Sequence, residues 1–187
     1  AVPALAGAGA GPALKLGASE DTYTSSSRKG AAFGAEEKLV VGRLNGDAKV
    51  SYLKFVVPAG VTVTGARLAL TTVGDVAGKV TVNRVLTNAW TEKQLTAATA
   101  PALGLLVGSA SPKSNDTEVA FDLGAEVTGP GTYSFAVRSP AATTTRFRSA
   151  ESKSGAPVLT VSTAAATPAP ATPRPTTPAV EKPPTDY

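Results

Sequence analysis

From about residue 18 to residue 162, apolar and polar side chains alternate in short runs divided by glycine, proline and asparagine. A period of two is the mark of strands that bury one face. In SYLKFVV, Leu53, Phe55 and Val57 share a face; in ARLALTT, Ala66, Leu68 and Leu70 share one, with Arg67, Ala69 and Thr71 opposite. EVAFDL turns Val119, Phe121 and Leu123 inward, and TYSFAVRS does the same with Tyr133, Phe135 and Val137, which leaves Glu118, Asp122, Ser134 and Arg138 facing out. The Asn-Gly pair of LNGD reaches positive φ at little cost, so 37–43 and 48–57 are predicted to form a hairpin. With the runs EDTYT, KVTVNRVL, LLVGSA, TTRFRSA and PVLTVS the total comes to about nine or ten strands, which suits two packed antiparallel sheets. The fold class is therefore all-β, with one helical turn expected in GAEVTG, 124–129.

Outside this pattern lie two tails. The glycine-rich opening, residues 1–17, is too short to span a bilayer and reads as a flexible segment left after signal-peptide removal. Residues 163–187 are rich in proline, threonine and alanine and nearly free of bulky apolar side chains, so they are expected to form an extended spacer rather than a core. The reading is of a single body at 18–162, secreted and extracellular, joined by the spacer to a covalently linked downstream domain.

Composition narrows the chemistry. The 187 residues include no cysteine, histidine or methionine, which excludes disulfides, thiol chemistry, a histidine base and a Cys/His zinc site. The net charge is +4, and all of it lies in the body, since Arg174 and Lys182 balance Glu181 and Asp186. These cations are spread out rather than run together, so neither nucleic acid nor a membrane is an expected partner, whereas an acidic polysaccharide would be attracted. The Gly-Ala repeat at 7–11 has no strand before it to make a phosphate loop, and nothing pairs Glu92, Glu118 or Asp122 as glycosidase carboxylates. The chain is not expected to be an enzyme.

The order of motifs adds a resemblance. DTYT, FGAEEKLVVG, SYLKFVVPAGVTVTGARLAL, VTVNRVLTNAWTEKQLTAATAP, FDLG, YSFAVRS and FRSAESKSGAPVLTV, from about Glu20 to Ser162, resemble the secreted DNRLRE-type domain, also classed as carbohydrate-binding module family 96. The resemblance implies a β-sandwich of jelly-roll type that binds polysaccharide without catalysis, some relatives being similar to alginate-binding modules. It also implies a structural calcium with hard oxygen ligands, for which Glu20 and Asp21 in the first strand and Asp122 in a later one are the matching positions. The alternative is a structural or adhesive sandwich with no glycan affinity.

Sugar rings stack on aromatic faces, and uronate carboxylates favour arginine. With Phe55, Phe121 and Phe135 facing in, the aromatic candidates are Trp90, Tyr52, Tyr133, Tyr23 and Phe33. Trp90, in AWTEKQLTAATAP, admits two readings, a buried plug at the end of the core or an exposed platform on a loop, and burial is the more usual fate of an indole. Arg84, Arg138, Arg146 and Arg148 alternate with apolar neighbours and are expected on one sheet face or its rim; two that converge would receive a uronate. Trp90, Tyr52, Arg84, Arg138 and Tyr133 form the expected ligand site.

Overall fold

A computed structural model describes residues 10–76 and 78–165. The expected N-terminal segment up to residue 9 and the spacer from residue 166 lie outside the described residues. Eleven strands follow in order: β1 (Leu14–Gly17), β2 (Glu20–Ser25), β3 (Lys38–Leu44), β4 (Asp47–Val57), β5 (Val63–Thr71), β6 (Val80–Val85), β7 (Leu103–Ala110), β8 (Glu118–Asp122), β9 (Gly131–Arg138), β10 (Thr144–Arg148) and β11 (Val158–Thr163). All pair antiparallel, β1-β11-β5-β8 in one sheet and β10-β3-β4-β9-β6-β7 in the other, with β2 added on β4. The expected helical turn is a single 3-10 turn, Gly124–Glu126. No helix among the described residues is long and apolar enough to cross a membrane.

The faces that alternation assigned inward make the core. Leu53, Phe55 and Val57 of β4, Leu68 and Leu70 of β5, Val119 and Phe121 of β8, and Phe135 and Val137 of β9 are fully or nearly fully buried in one cluster between the sheets. Arg67, Glu118, Asp122 and Arg138 are exposed as expected. Ser134 is not. It is buried, with Tyr52, Lys54 and Ala136, because connections fold over the outer face of the seven-stranded sheet and give it a second, smaller cluster.

Two expectations are corrected. The tenth strand of the sequence reading is joined by an eleventh: β1, assigned to the flexible segment 1–17, pairs with β11 from Leu14↔Val161 to Gly17↔Val158, and Leu14 and Leu16 pack on the core. Four residues with two leucines are too short for periodicity to register, and only the exposed edge of β11 makes them a strand. The hairpin forms with Asn45 and Gly46 at φ 52° and 81°, but β3 and β4 share only three register pairs before β3 turns to β10 and β4 takes β9 and β2 as neighbours.

Candidate functional site

Over the outer face of the seven-stranded sheet, the 86–102 connection carries Trp90 inward. Its ring is 7% exposed. The indole N–H donates to Ser134 Oγ at 3.1 Å, Tyr52 meets it edge-on with centroids 6.1 Å apart, and the Lys54 ammonium stands 4.5 Å from its centroid. Lys54 also donates to the Trp90 carbonyl and pairs with Glu20 at 3.2 Å. Tyr52 is 3% exposed, and burial pushes its hydroxyl pKa up, with Arg138 pulling the other way. Of the two readings of Trp90, the structure selects the plug. Trp90 and Tyr52 were expected in the ligand site; both are buried by the chain itself, and Trp90 shows only its remaining surface to a hollow of about 220 Å³ that it shares with Gln94 and Thr99. Tyr23 and Phe33 stack on each other, centroids 4.3 Å apart, in a third buried cluster with Val40.

Tyr133 and Arg84 serve other ends. Tyr133 packs half-buried against the core and its hydroxyl donates to Gly129 O at 2.9 Å, which closes the loop before β9. Arg84 lies 3.6 Å from Glu126 in an exposed pair at the 3-10 turn. Arg146 and Arg148, on β10, do not line the hollow at Arg138.

Arg138 is different. At the end of β9 it borders a hollow of about 300 Å³ together with Arg43, Lys49, Ser139 and Pro140. Local sequence explains the convergence. The Asn45-Gly46 turn folds Arg43 back beside Ala48, and Gly42, at φ +111°, has no side chain to obstruct the Thr143 carbonyl. The 139–143 connection therefore docks on β3, where the Arg43 N–H donates to Ala141 O at 2.9 Å, and the end of β9 arrives with it. Asp47 holds the Lys49 ammonium and accepts from Ser25 Oγ at 2.8 Å; burial raises its pKa, but the bonds from Lys49, Ser25 and Ser27 outweigh this and hold it well below the usual carboxylate range. Arg43 and Arg138 thus line the hollow, and among the described residues neither has a carboxylate ion-pair partner, whereas Lys49 has Asp47.

Of the acidic residues expected to bind calcium, Glu20 and Asp21 are adjacent on β2, while Asp122 is on β8 in the other sheet, its Oδ1 accepting from Gly124 N at 2.9 Å. The structure does not bring the three together, because β2 joins β4 rather than the sheet that holds β8. Glu20 is occupied by Lys54 and by Glu92 N–H at 3.1 Å. Asp21, 1% exposed, accepts from Ala150 N at 2.8 Å through Oδ2, while Oδ1 has no partner in the structure. Burial pushes its carboxyl up to about 7; the Ala150 N–H lowers it, and Glu151 and Glu92 raise it. An orphaned carboxylate oxygen facing two more carboxylates has the donor chemistry of a hard cation. Yet among the described residues no three acidic side chains converge as a metal-holding group. Glu92 and Glu151, which the sequence reading did not bring to Asp21, are 59 positions apart in the chain and carry no spacing signal; Arg43 and Lys49 flank the visible Asn-Gly turn and could have been found by it.

Comparison with known proteins adds three findings. Residues 12–163 match the profile of carbohydrate-binding module family 96. No curated protein sequence matches the chain. Among solved structures, the C-terminal CBM6 of LamC, a marine laminarinase from Zobellia galactanivorans, is similar at 11% identity and a TM-score of 0.36, with 80% of this chain and 99% of that one covered.

Proposed function

The chain belongs to carbohydrate-binding module family 96, and from that premise we propose that it is a non-catalytic extracellular module that holds an attached domain on an acidic polysaccharide such as alginate. The observation that carries this reading is the meeting of Arg43, Lys49 and Arg138 around one hollow on the outer side of the seven-stranded sheet. A guanidinium presents paired N–H groups to a carboxylate, so a uronate is the guest this hollow suits, with Ser139 beside it for a ring hydroxyl. Burial of Trp90 and Tyr52 leaves the grip to charge, and the affinity should fall as salt rises.

Among the described residues Asp21, Glu92 and Glu151 do not form a three-carboxylate metal group, so no calcium is assigned to them. Asp21 joins β2 to the Ala150 turn, remote in role from the ligand hollow.

Retardation of the full chain in alginate gels tests the proposal. A charge-assisted hydrogen bond contributes about 1.5–3 kcal/mol, so Arg138→Ala should weaken binding about tenfold or more. Full retardation of Arg138→Ala would sink the hollow as the site. The structural-spacer alternative draws support from the buried aromatics, and absence of retention of the wild type on every acidic and neutral polymer would establish it instead.

A further inference from the structure

The outward face of the four-stranded sheet is built for a ligand of another kind. Lys15, Thr160, Arg67 and Asp122 stand directly opposite one another in a single cross-strand row over β1, β11, β5 and β8. Their neighbours Leu16, Leu159, Leu68 and Phe121 fill the core, so the row points away from it, and Lys15, Arg67 and Asp122 are exposed. Beside the row a hollow of about 660 Å³ opens, more than twice the volume at Arg138 and within the ~300–1,000 Å³ of small-ligand sites. Its floor is low because Gly65 and Ala120 lie there, and Arg67, Asp122, Thr160 and Ser162 rim it.

The lining carries one cation, one anion and three hydroxyls, those of Thr64, Thr160 and Ser162, a mixed set of donors and acceptors in which Arg67 and Asp122 balance. Asp122 is held by Gly124 N–H at 2.9 Å, and Arg67 has no ion pair among the described residues, so both heads face outward with capacity to spare. A guanidinium beside a carboxylate is the complement of a vicinal diol: the two hydroxyl oxygens accept from the guanidinium while their O–H groups donate to the carboxylate. Asp122 offsets Arg67 at the hollow itself, and Lys15, two strands along the row, does not line it. A second protein copy would need an apolar centre, which glycine, alanine and hydroxyl side chains do not provide. We infer that this hollow is a second saccharide site, specific for neutral hexose polymers, on the face of the sandwich opposite the Arg138 hollow. The module then engages two chemically different glycans at once. This inference rests on the carbohydrate-binding reading of the chain but not on the Arg138 hollow.

Gly65 supplies the test. Its φ is not left-handed and a Cβ there would meet nothing within 4 Å, so Gly65→Leu fills the hollow while leaving the fold intact, which a melting curve verifies. The full chain is run in gels containing hydroxyethylcellulose, xyloglucan or galactomannan, and in alginate gels. Wild type should be retarded by at least one neutral polymer; Gly65→Leu and Arg67→Ala should lose that retardation fivefold or more yet run normally in alginate, and Arg138→Ala should do the reverse. Loss of alginate retardation alone would remove the acidic reading and leave this one standing. The inference is overturned if no neutral polymer retards the wild type, if Gly65→Leu is retarded like the wild type, or if Arg138→Ala abolishes both. It is equally overturned if sedimentation shows a dimer that Gly65→Leu dissociates while neutral polymers have no effect, since the face would then belong to a second copy.

Discussion

Ser134, Tyr52 and Lys54 each hold a different part of the Trp90 indole: the N–H, the edge and the face. Removing that ring leaves a cavity on top of three disappointed partners, one of them a buried ammonium that also loses its cation–π contact. Trp90→Ala should therefore cost about 3–5 kcal/mol, read as a fall in denaturation midpoint with unchanged m-value. With the indole buried, wild-type fluorescence should barely shift when glycan is added. A mutant that melts with the wild type and loses glycan binding would restore the platform. From the sequence, Trp90 could be placed in a loop but not oriented, because a loop has no periodicity to assign its faces; the docking of that loop on Tyr52 and Ala136 decides it.

β2 enters the larger sheet by pairing with β4, and its Asp21 ties it to the Ala150 turn, 129 residues later. The buried carboxyl, with Glu151 and Glu92 against it, is raised from 3.8 to about 7. In the unfolded chain it ionises near its ordinary value, so between about pH 4 and 7 the folded state carries a proton that the unfolded state has released. Stability on this account is full below pH 4, declines as pH rises through 7 and is flat above. Asp21→Asn keeps an acceptor for Ala150 N–H and removes the charge; it should melt higher than wild type at pH 8, with the gap closing by pH 4. Equal melting of the two proteins across this range would mean that Asp21 is not the strained group. Legibility at this scale was uneven. The ten strands with alternating runs were readable, but the carboxylate cluster joins a strand, a loop and a turn with no shared period.

For the molecule as a whole, the sandwich closes with both ends of the described residues in it. Beyond the β1–β11 pairing, Gly11 N–H donates to Thr163 O at 2.7 Å and Thr163 Oγ1 to Pro12 O at 2.6 Å. Removal of residues 1–17 strips the edge from β11 and uncovers Leu14 and Leu16 contacts; with each fully buried leucine contributing about 1.5–3 kcal/mol, a loss of about 2 kcal/mol or more is expected from these half-buried ones. Chemical denaturation of the truncated chain checks this, and an unchanged midpoint would return 1–17 to the status of a dispensable tail. The closed sandwich leaves its two outer faces unequal: loops cover part of the seven-stranded side, over Tyr52 and Ala136, while the four-stranded side carries the exposed row of Lys15, Arg67 and Asp122.

Alternation along the chain determined ten of the strands and the inward set Leu53, Phe55, Leu68, Phe121 and Phe135, and the Asn-Gly pair determined the turn at 45–46, because each depends on neighbours within a few residues; composition alone excluded histidine and thiol chemistry. Family membership was likewise readable, in motifs laid out in order. Tertiary structure alone decided which connections cover the larger sheet, that Trp90 and Tyr52 are buried, that Asp122 is parted from Asp21 and that Arg138 and Arg43 line one hollow. Each of those depends on which strand a connection carries the chain to, and a sheet's strand order is set by long-range pairing that local periodicity does not encode.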